Sequence, residues 1–315
     1  MSGPDAVLLI AFGGPEKPED IRPFLEIVTR GRGIPSERLE QVAHHYAQMP
    51  GGRSPLNELT RAQARALEET LAEGGHALPV FVGMRNWHPF LHETLAAMAS
   101  TGVQRAVGVI LSPLRSEASW ERYKQDVAGA REKTPGGPEV AFAQPWFDHP
   151  GFLEAVADRT RAALAGIPSA ERAPAPLVFT AHSVPVGMAE ASPYVDDFTA
   201  AARGVAALLG RPRFTLAYQS RSGSPRDPWL EPDIGDVLKR LAADGERHVV
   251  VVPLGFVCDH VEVLYDLDVE ARAFATAAGL ALHRAAAVND HPAFIAMLAD
   301  LVRIQAGAGA SPRSR

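Results

Sequence analysis

The sequence predicts an α/β fold built from two similar doubly wound halves, each with a mostly parallel four-stranded sheet. Eight short apolar runs recur along the chain, most of them continuous rather than alternating, and amphipathic segments separate them. A Pro- and Gly-dense stretch, KTPGGPEVAFAQPWFDHPG at 133–151, falls near the midpoint. Continuous apolar strands suit a parallel sheet covered by helices on both faces, because neither face has to meet water.

Strands are expected at Val7–Phe12, Val80–Met84, Ala106–Ser112 and Val140–Phe142 in the first half. Leu177–Ala181, Thr215–Gln219, His248–Phe256 and Leu280–Arg284 follow in the second. Helical patterning lies between them at 60–73, 90–100, 194–209 and 232–244. The domains are placed at 1–145 and 146–306, and the tail GAGASPRSR, 307–315, is expected to be disordered. No convincing sequence repeat relates the halves, so their similarity rests on element order.

The 315 residues are 46% hydrophobic and 22% charged, enough for one or two ordinary cores. A net charge of −6 gives no overall attraction for nucleic acid or an anionic membrane surface. Cys258 is the only cysteine, which excludes an internal disulfide and a four-thiolate iron–sulfur cluster within one chain. The first residues carry no basic leader, and no apolar run reaches the roughly 18 residues of a membrane span. A cytoplasmic protein without signal peptide or membrane anchor is therefore expected.

Chemistry concentrates in GFVCDHVEVLYDLDVEARA, 255–273. At about 100° per residue, Glu262, Asp266 and Glu270 drift only about 80° and share one helix face. Leu264, Leu267, Ala271 and Phe274 are expected on the opposite one. An amphipathic helix with its acids in water accounts for this pattern, and Asp259 with Glu262 could form a capping box ahead of a helix ended by Gly279. Against those readings stands position, since the helix begins at the carboxyl end of a strand, where open parallel sheets bind ligands. A second strand delivers His182 to the same edge, in APLVFTAHSVPVG. A histidine with a carboxylate is a reasonable ligand set for Fe(II), and imidazole is also suited to accept a proton near neutral pH.

The segments AHSVP, YQSRSGSPRDPWLEPD and PLGFVCDHVEVLYDLDVE, with FGGPE and GGRSPLNELT nearer the start, resemble ferrochelatase signatures in order from about 5 to 305. The resemblance implies a two-domain chelatase-like fold, a porphyrin cleft between the halves, and insertion of Fe(II) as a substrate, with no organic cofactor. It assigns His182 and Glu262 as catalytic and metal-binding residues, and Asp266 and Glu270 as an outer acidic path for metal. Porphyrin-contacting positions fall on Phe12, where some relatives carry Tyr, and on Thr29, Arg30, His45, Ser54 and Tyr123. Residues 22–53 are locally basic, with Arg22, Arg30, Arg32, Arg38 and Arg53 against Glu26, Glu37 and Glu40. That favours a substrate with four propionates, coproporphyrin III, over protoporphyrin IX with two. VTRGRG, GMRNWHPF and WLEPD are likewise similar to coproporphyrin ferrochelatases.

SEASWERY, the segment that matches cluster-bearing relatives, has no cysteine, so no iron–sulfur cluster is expected. The resemblance further implies a monomer in the cytoplasm that meets a haem-transfer or decarboxylase partner of its pathway. A protoporphyrin IX chelatase and a non-catalytic porphyrin or haem carrier are the alternatives. A cobalt chelatase ranks lower. So does a phosphate loop at FGGPE, where Pro15 removes an amide, and so does a hydrolase built on the adjacent Cys258, Asp259 and His260.

Overall fold

The computed structural model describes residues 3–31, 36–222 and 227–307. Arg32 of the basic segment, and residues 308–315 of the tail expected to be disordered, lie outside the described residues. In chain order the strands are β1 (Ala6–Ala11), β2 (Val80–Met84), β3 (Arg105–Ile110), β4 (Glu139–Phe142), β5 (Leu177–His182), β6 (Thr215–Gln219), β7 (His248–Val252) and β8 (Ala281–Arg284). All eight expected strands are present. The largest difference is β7, which stops at Val252 rather than Phe256 because Pro253 has no N–H to continue the ladder.

The chain forms two compact units: 1–112 with 118–145 and 290–315, and 113–117 with 146–289. In the first, the sheet order is β2-β1-β3-β4, and every pairing is parallel. In the second it is β6-β5-β7-β8, again all parallel. The two orders are the same once each unit is numbered from its own first strand. The central strands β1 and β5 are almost completely buried, as expected of continuous apolar runs packed on both faces.

The structure departs from the expected partition in two places, since 113–117 joins the second unit and the last helix joins the first. Helix Pro292–Gln305 packs on helix Leu56–Glu73 and on β3, so it belongs to the first unit rather than the second. Its apolar side, with Phe294, Leu298 and Leu301 buried, supplies the cover that this side of the sheet requires.

Candidate metal and proton-transfer site

His182 is the last residue of β5, and its backbone is in register with Gln219 of β6. Its Nδ1 lies within hydrogen-bond distance of the Ser183 carbonyl oxygen. A carbonyl can only accept, so Nδ1 carries a proton, and it is Nε2 that presents a lone pair when the ring is neutral. Tyr194 fixes the same residue from behind by donating its hydroxyl to the His182 carbonyl at 2.8 Å. Burial, with Tyr218 and Glu262 adding to it, pushes the Tyr194 phenol far above its ordinary value, so it stays a neutral donor.

Glu262 reaches this histidine because the chain after β7 turns tightly over the end of β5. Gly255 donates its N–H to the Thr180 carbonyl at 3.0 Å, and a Cβ there would lie 2.7 Å from the Ala181 Cβ. Only glycine fits so close an approach. The helix then starts at Val261, and the Glu262 Oε1 lies 3.7 Å from the His182 Nε2. That separation is too long for a direct hydrogen bond and leaves the two groups free to share a proton or an ion. The side chains are 30% and 42% exposed. Gln219, 1% exposed, donates its Nε2 to the Glu262 carbonyl at 2.7 Å and ties the helix start to β6.

The expected capping box is not formed. His260 caps the helix instead, its Nδ1 accepting from the Glu262 N–H at 3.2 Å. Burial holds His260 below the usual imidazole range although Glu262 and Asp259 oppose it, so it caps as a neutral ring. Asp259 is committed elsewhere: it accepts from Arg284 at 2.7 Å, from the Asn289 side chain at 2.9 Å and from the Ala287 N–H at 3.1 Å. The Glu262 carboxylate is thereby left for His182.

The helix also differs in kind from the expected one. Residues Leu264–Ala271 are wound as a π-helix between short α-helical turns. The buried row is Val263, Leu267, Ala271 and Ala275, spaced by four throughout. In a straight α-helix each such step drifts about 40°, so the row would leave the sheet within three steps. The wider turn accommodates one more residue and holds the row in place. It holds the neighbouring row, Glu262, Asp266 and Glu270, by the same geometry. Phe274, expected on the buried face, is 51% exposed, with Val263 and Ala275 buried instead.

The four expected metal ligands are not gathered into one preformed set. His182 and Glu262 face each other, Asp266 accepts a hydrogen bond from the Ser220 hydroxyl, and Glu270 is exposed. Among the described residues no three His, Cys, Asp or Glu side chains converge as a metal-holding group.

The expected porphyrin-contacting residues lie in the first unit, Phe12 immediately beyond β1. Phe12 is 38% exposed, its ring edge-on to Phe24 at 6.3 Å, and Phe24 in turn meets Tyr46 at 5.9 Å and Trp87 at 6.1 Å. Thr29 ends helix Ile21–Thr29 and donates its hydroxyl to the Leu25 carbonyl at 2.7 Å; Arg30 follows, exposed. His45 is half-buried, and its pKa falls to about 4, chiefly through burial, with Arg38 and His44 adding repulsion. Ser54 and Tyr123 are buried: the Ser54 hydroxyl accepts from the Leu56 N–H at 3.3 Å, and the Arg85 guanidinium sits 5.7 Å from the Tyr123 ring centroid. Within the basic segment, Arg22 pairs with Glu40, and Arg53 pairs with Glu58 at 3.0 Å. Sequence reasoning missed Tyr194, Gln219 and the capping role of His260. Gln219 carried a signal, because a polar residue ending an apolar strand at a sheet's carboxyl edge needs a partner there.

The model of the ferrochelatase family matches residues 4–306. A coproporphyrin III ferrochelatase of Mycolicibacterium smegmatis is 47% identical over 302 residues, 95% of this chain and 88% of that protein. A coproporphyrin III ferrochelatase of Frankia alni is 48% identical over 311 residues, 95% of this chain and 79% of that protein. Among solved structures, SirB from Bacillus subtilis with Fe3+ matches with a TM-score of 0.56 at 13% identity, covering 96% of this chain and 95% of that one. The sirohydrochlorin chelatase SirB from Bacillus subtilis subspecies spizizenii in complex with cobalt gives a TM-score of 0.55 at 14% identity, with the same coverage of 96% and 95%. These two likenesses speak for the chelatase fold alone. With a family match over nearly its whole length and actinobacterial relatives at nearly half identity, the chain belongs to the ferrochelatase family.

Proposed function

We propose that this enzyme, a metal chelatase of the lyase class, inserts Fe(II) into coproporphyrin III in haem biosynthesis, with His182 and Glu262 as its acid–base and metal-handling pair. The observation that supports the pair is the 3.7 Å approach of the His182 Nε2 to the Glu262 carboxylate at the carboxyl edge of β5. Insertion breaks two pyrrole N–H bonds, forms four Fe–N bonds and releases two protons. His182 Nε2 accepts a pyrrole proton, and Glu262 receives it or holds the incoming cation; Asp266 and Glu270 extend the carboxylate row outward along the π-helix. Two half-exposed ligands, with no third converging on them among the described residues, suit an ion in transit, because a closed shell would retain it. Phe12, Thr29, Arg30, His45, Ser54 and Tyr123 are the proposed porphyrin-side residues, and the likeness to two coproporphyrin III ferrochelatases supports the tetrapropionate substrate.

No helix among the described residues is long and apolar enough to cross a membrane, and the proposed working form is a cytoplasmic monomer. Anaerobic Fe(II) insertion into coproporphyrin III and protoporphyrin IX, run side by side on wild type and His182→Ala, tests the reading. Faster turnover on coproporphyrin III that is lost in the variant supports it. Preference for protoporphyrin IX overturns the substrate, and stoichiometric binding without turnover leaves a carrier.

A further inference from the structure

A pair of imidazoles lies at the opposite edge of the second unit's sheet. His248 opens β7, and His283 lies on β8, whose residues Ala281 and His283 pair with His248 and Val250. The two histidines are therefore diagonal neighbours on one sheet face, within reach of long side chains. The His248 Nδ1 and the His283 Nε2 are 3.0 Å apart, with the rings tilted by 41°. On the far side of His248, Nε2 lies 2.9 Å from the Glu171 carboxylate, which the Arg247 guanidinium also approaches at 2.7 Å.

We propose that the His248 Nδ1 and the His283 Nε2 form a peripheral binding site for a borderline divalent cation of the zinc class, with Glu171 as the carboxylate behind it. Three observations carry the assignment. Glu171 can only accept from the His248 Nε2–H, so the neutral tautomer has its lone pair on Nδ1, where it accepts from the His283 Nε2–H; a cation takes the place of that proton once His283 shifts to the tautomer that carries it on Nδ1. Carboxylate behind imidazole behind metal is the arrangement in which histidine ligands are ordinarily held. The spacing is close to what a metal requires: two nitrogens at about 2.0–2.1 Å from a tetrahedral ion lie about 3.3 Å apart, so the 3.0 Å pair opens by a few tenths of an ångström.

The side chain of His248 is 18% exposed and His283 is half-buried, which leaves a solvent approach for the ion, and water completes its shell. Nitrogen donors select Cu(II), Zn(II), Ni(II) and Co(II) over Mg(II) and Ca(II). His182 ends β5 and His248 begins the adjacent parallel strand β7, and in the register of the two strands His182 is level with position 255, so this pair lies about 23 Å along the strands from the iron-handling edge. It is a separate site.

Zinc titration of the whole protein against a chromophoric chelator, compared across wild type, His182→Ala, His283→Asn and Glu171→Gln, provides the test. His182→Ala should retain one zinc site that His283→Asn loses, with affinity at least about ten-fold weaker, and Glu171→Gln should weaken the same site by about 10- to 100-fold. Iron insertion by folded His283→Asn should stay at the wild-type rate. If His283→Asn fails to fold, the Glu171→Gln titration alone decides. Unchanged zinc stoichiometry and affinity in the folded His283→Asn and Glu171→Gln variants would overturn the proposal.

Discussion

The two sheets share one strand order, yet the loops leaving their central strands are secured by opposite means. After β1, the chain is held by a neutral, fully buried amide. Asn57 accepts from the Gly14 N–H at 2.9 Å and donates back to the Gly14 carbonyl at 3.1 Å, and a Cβ on Gly14 would lie 2.8 Å from the Ser54 Cβ. After β7, the chain is held by charge. Arg284, with a side chain 13% exposed, reaches Asp259 in the loop at 2.7 Å and Asp268 in the π-helix at 2.8 Å. A neutral tie suffices where the loop presents an aromatic ring, Phe12. A charged clamp suits a segment that sets down Glu262 beside His182 and keeps an unusual helix in register.

The largest effect expected from this contrast is catalytic. His182→Ala should lower kcat for iron insertion by about 10²–10⁴-fold, the usual contribution of a positioned proton acceptor. Phe12→Ala should act chiefly on KM for the porphyrin. Steady-state kinetics on both variants measures the split, and equal loss of kcat in the two would dissolve the distinction between the loops.

Next comes the charged clamp. Arg284→Leu leaves Asp259 and Asp268 facing each other without their shared cation, and should cost about 3–5 kcal/mol in urea unfolding. Asn57→Leu strands the Gly14 N–H and carbonyl, and should cost about 1–3 kcal/mol. A larger loss for Asn57 than for Arg284 would reverse the comparison.

The smallest effect is a pH dependence in the first unit. His45 has a folded pKa of about 4 against an ordinary value of 6.5. Between these values the unfolded chain binds a proton that the folded chain refuses, so stability falls as pH drops from 6.5 toward 4 and is unaffected above that window. His45→Gln should flatten this limb, as followed by urea midpoints across the window. An unaltered slope would show that the ring is more solvated than its half-buried position implies.

The sequence by itself determined the eight strands and the class, and it singled out the candidate residues of the site. Continuous apolar runs such as Val7–Phe12 and Leu177–Ala181 are too short for buried helices and suit parallel strands covered on both faces, and the motifs singled out His182 and Glu262 as the candidate pair. What only the tertiary structure decided are the features that depend on which partner wins. Asp259 looked like a helix cap, but Arg284, 25 positions later, takes it, and His260 caps instead. The acidic stripe looked α-helical, but packing a four-residue apolar row against the sheet required a π-turn. Helix Pro292–Gln305 follows the second sheet in sequence but covers the first. Local pattern specifies periodicity and burial, whereas the choice among competing hydrogen-bond and packing partners is made between residues distant in the chain.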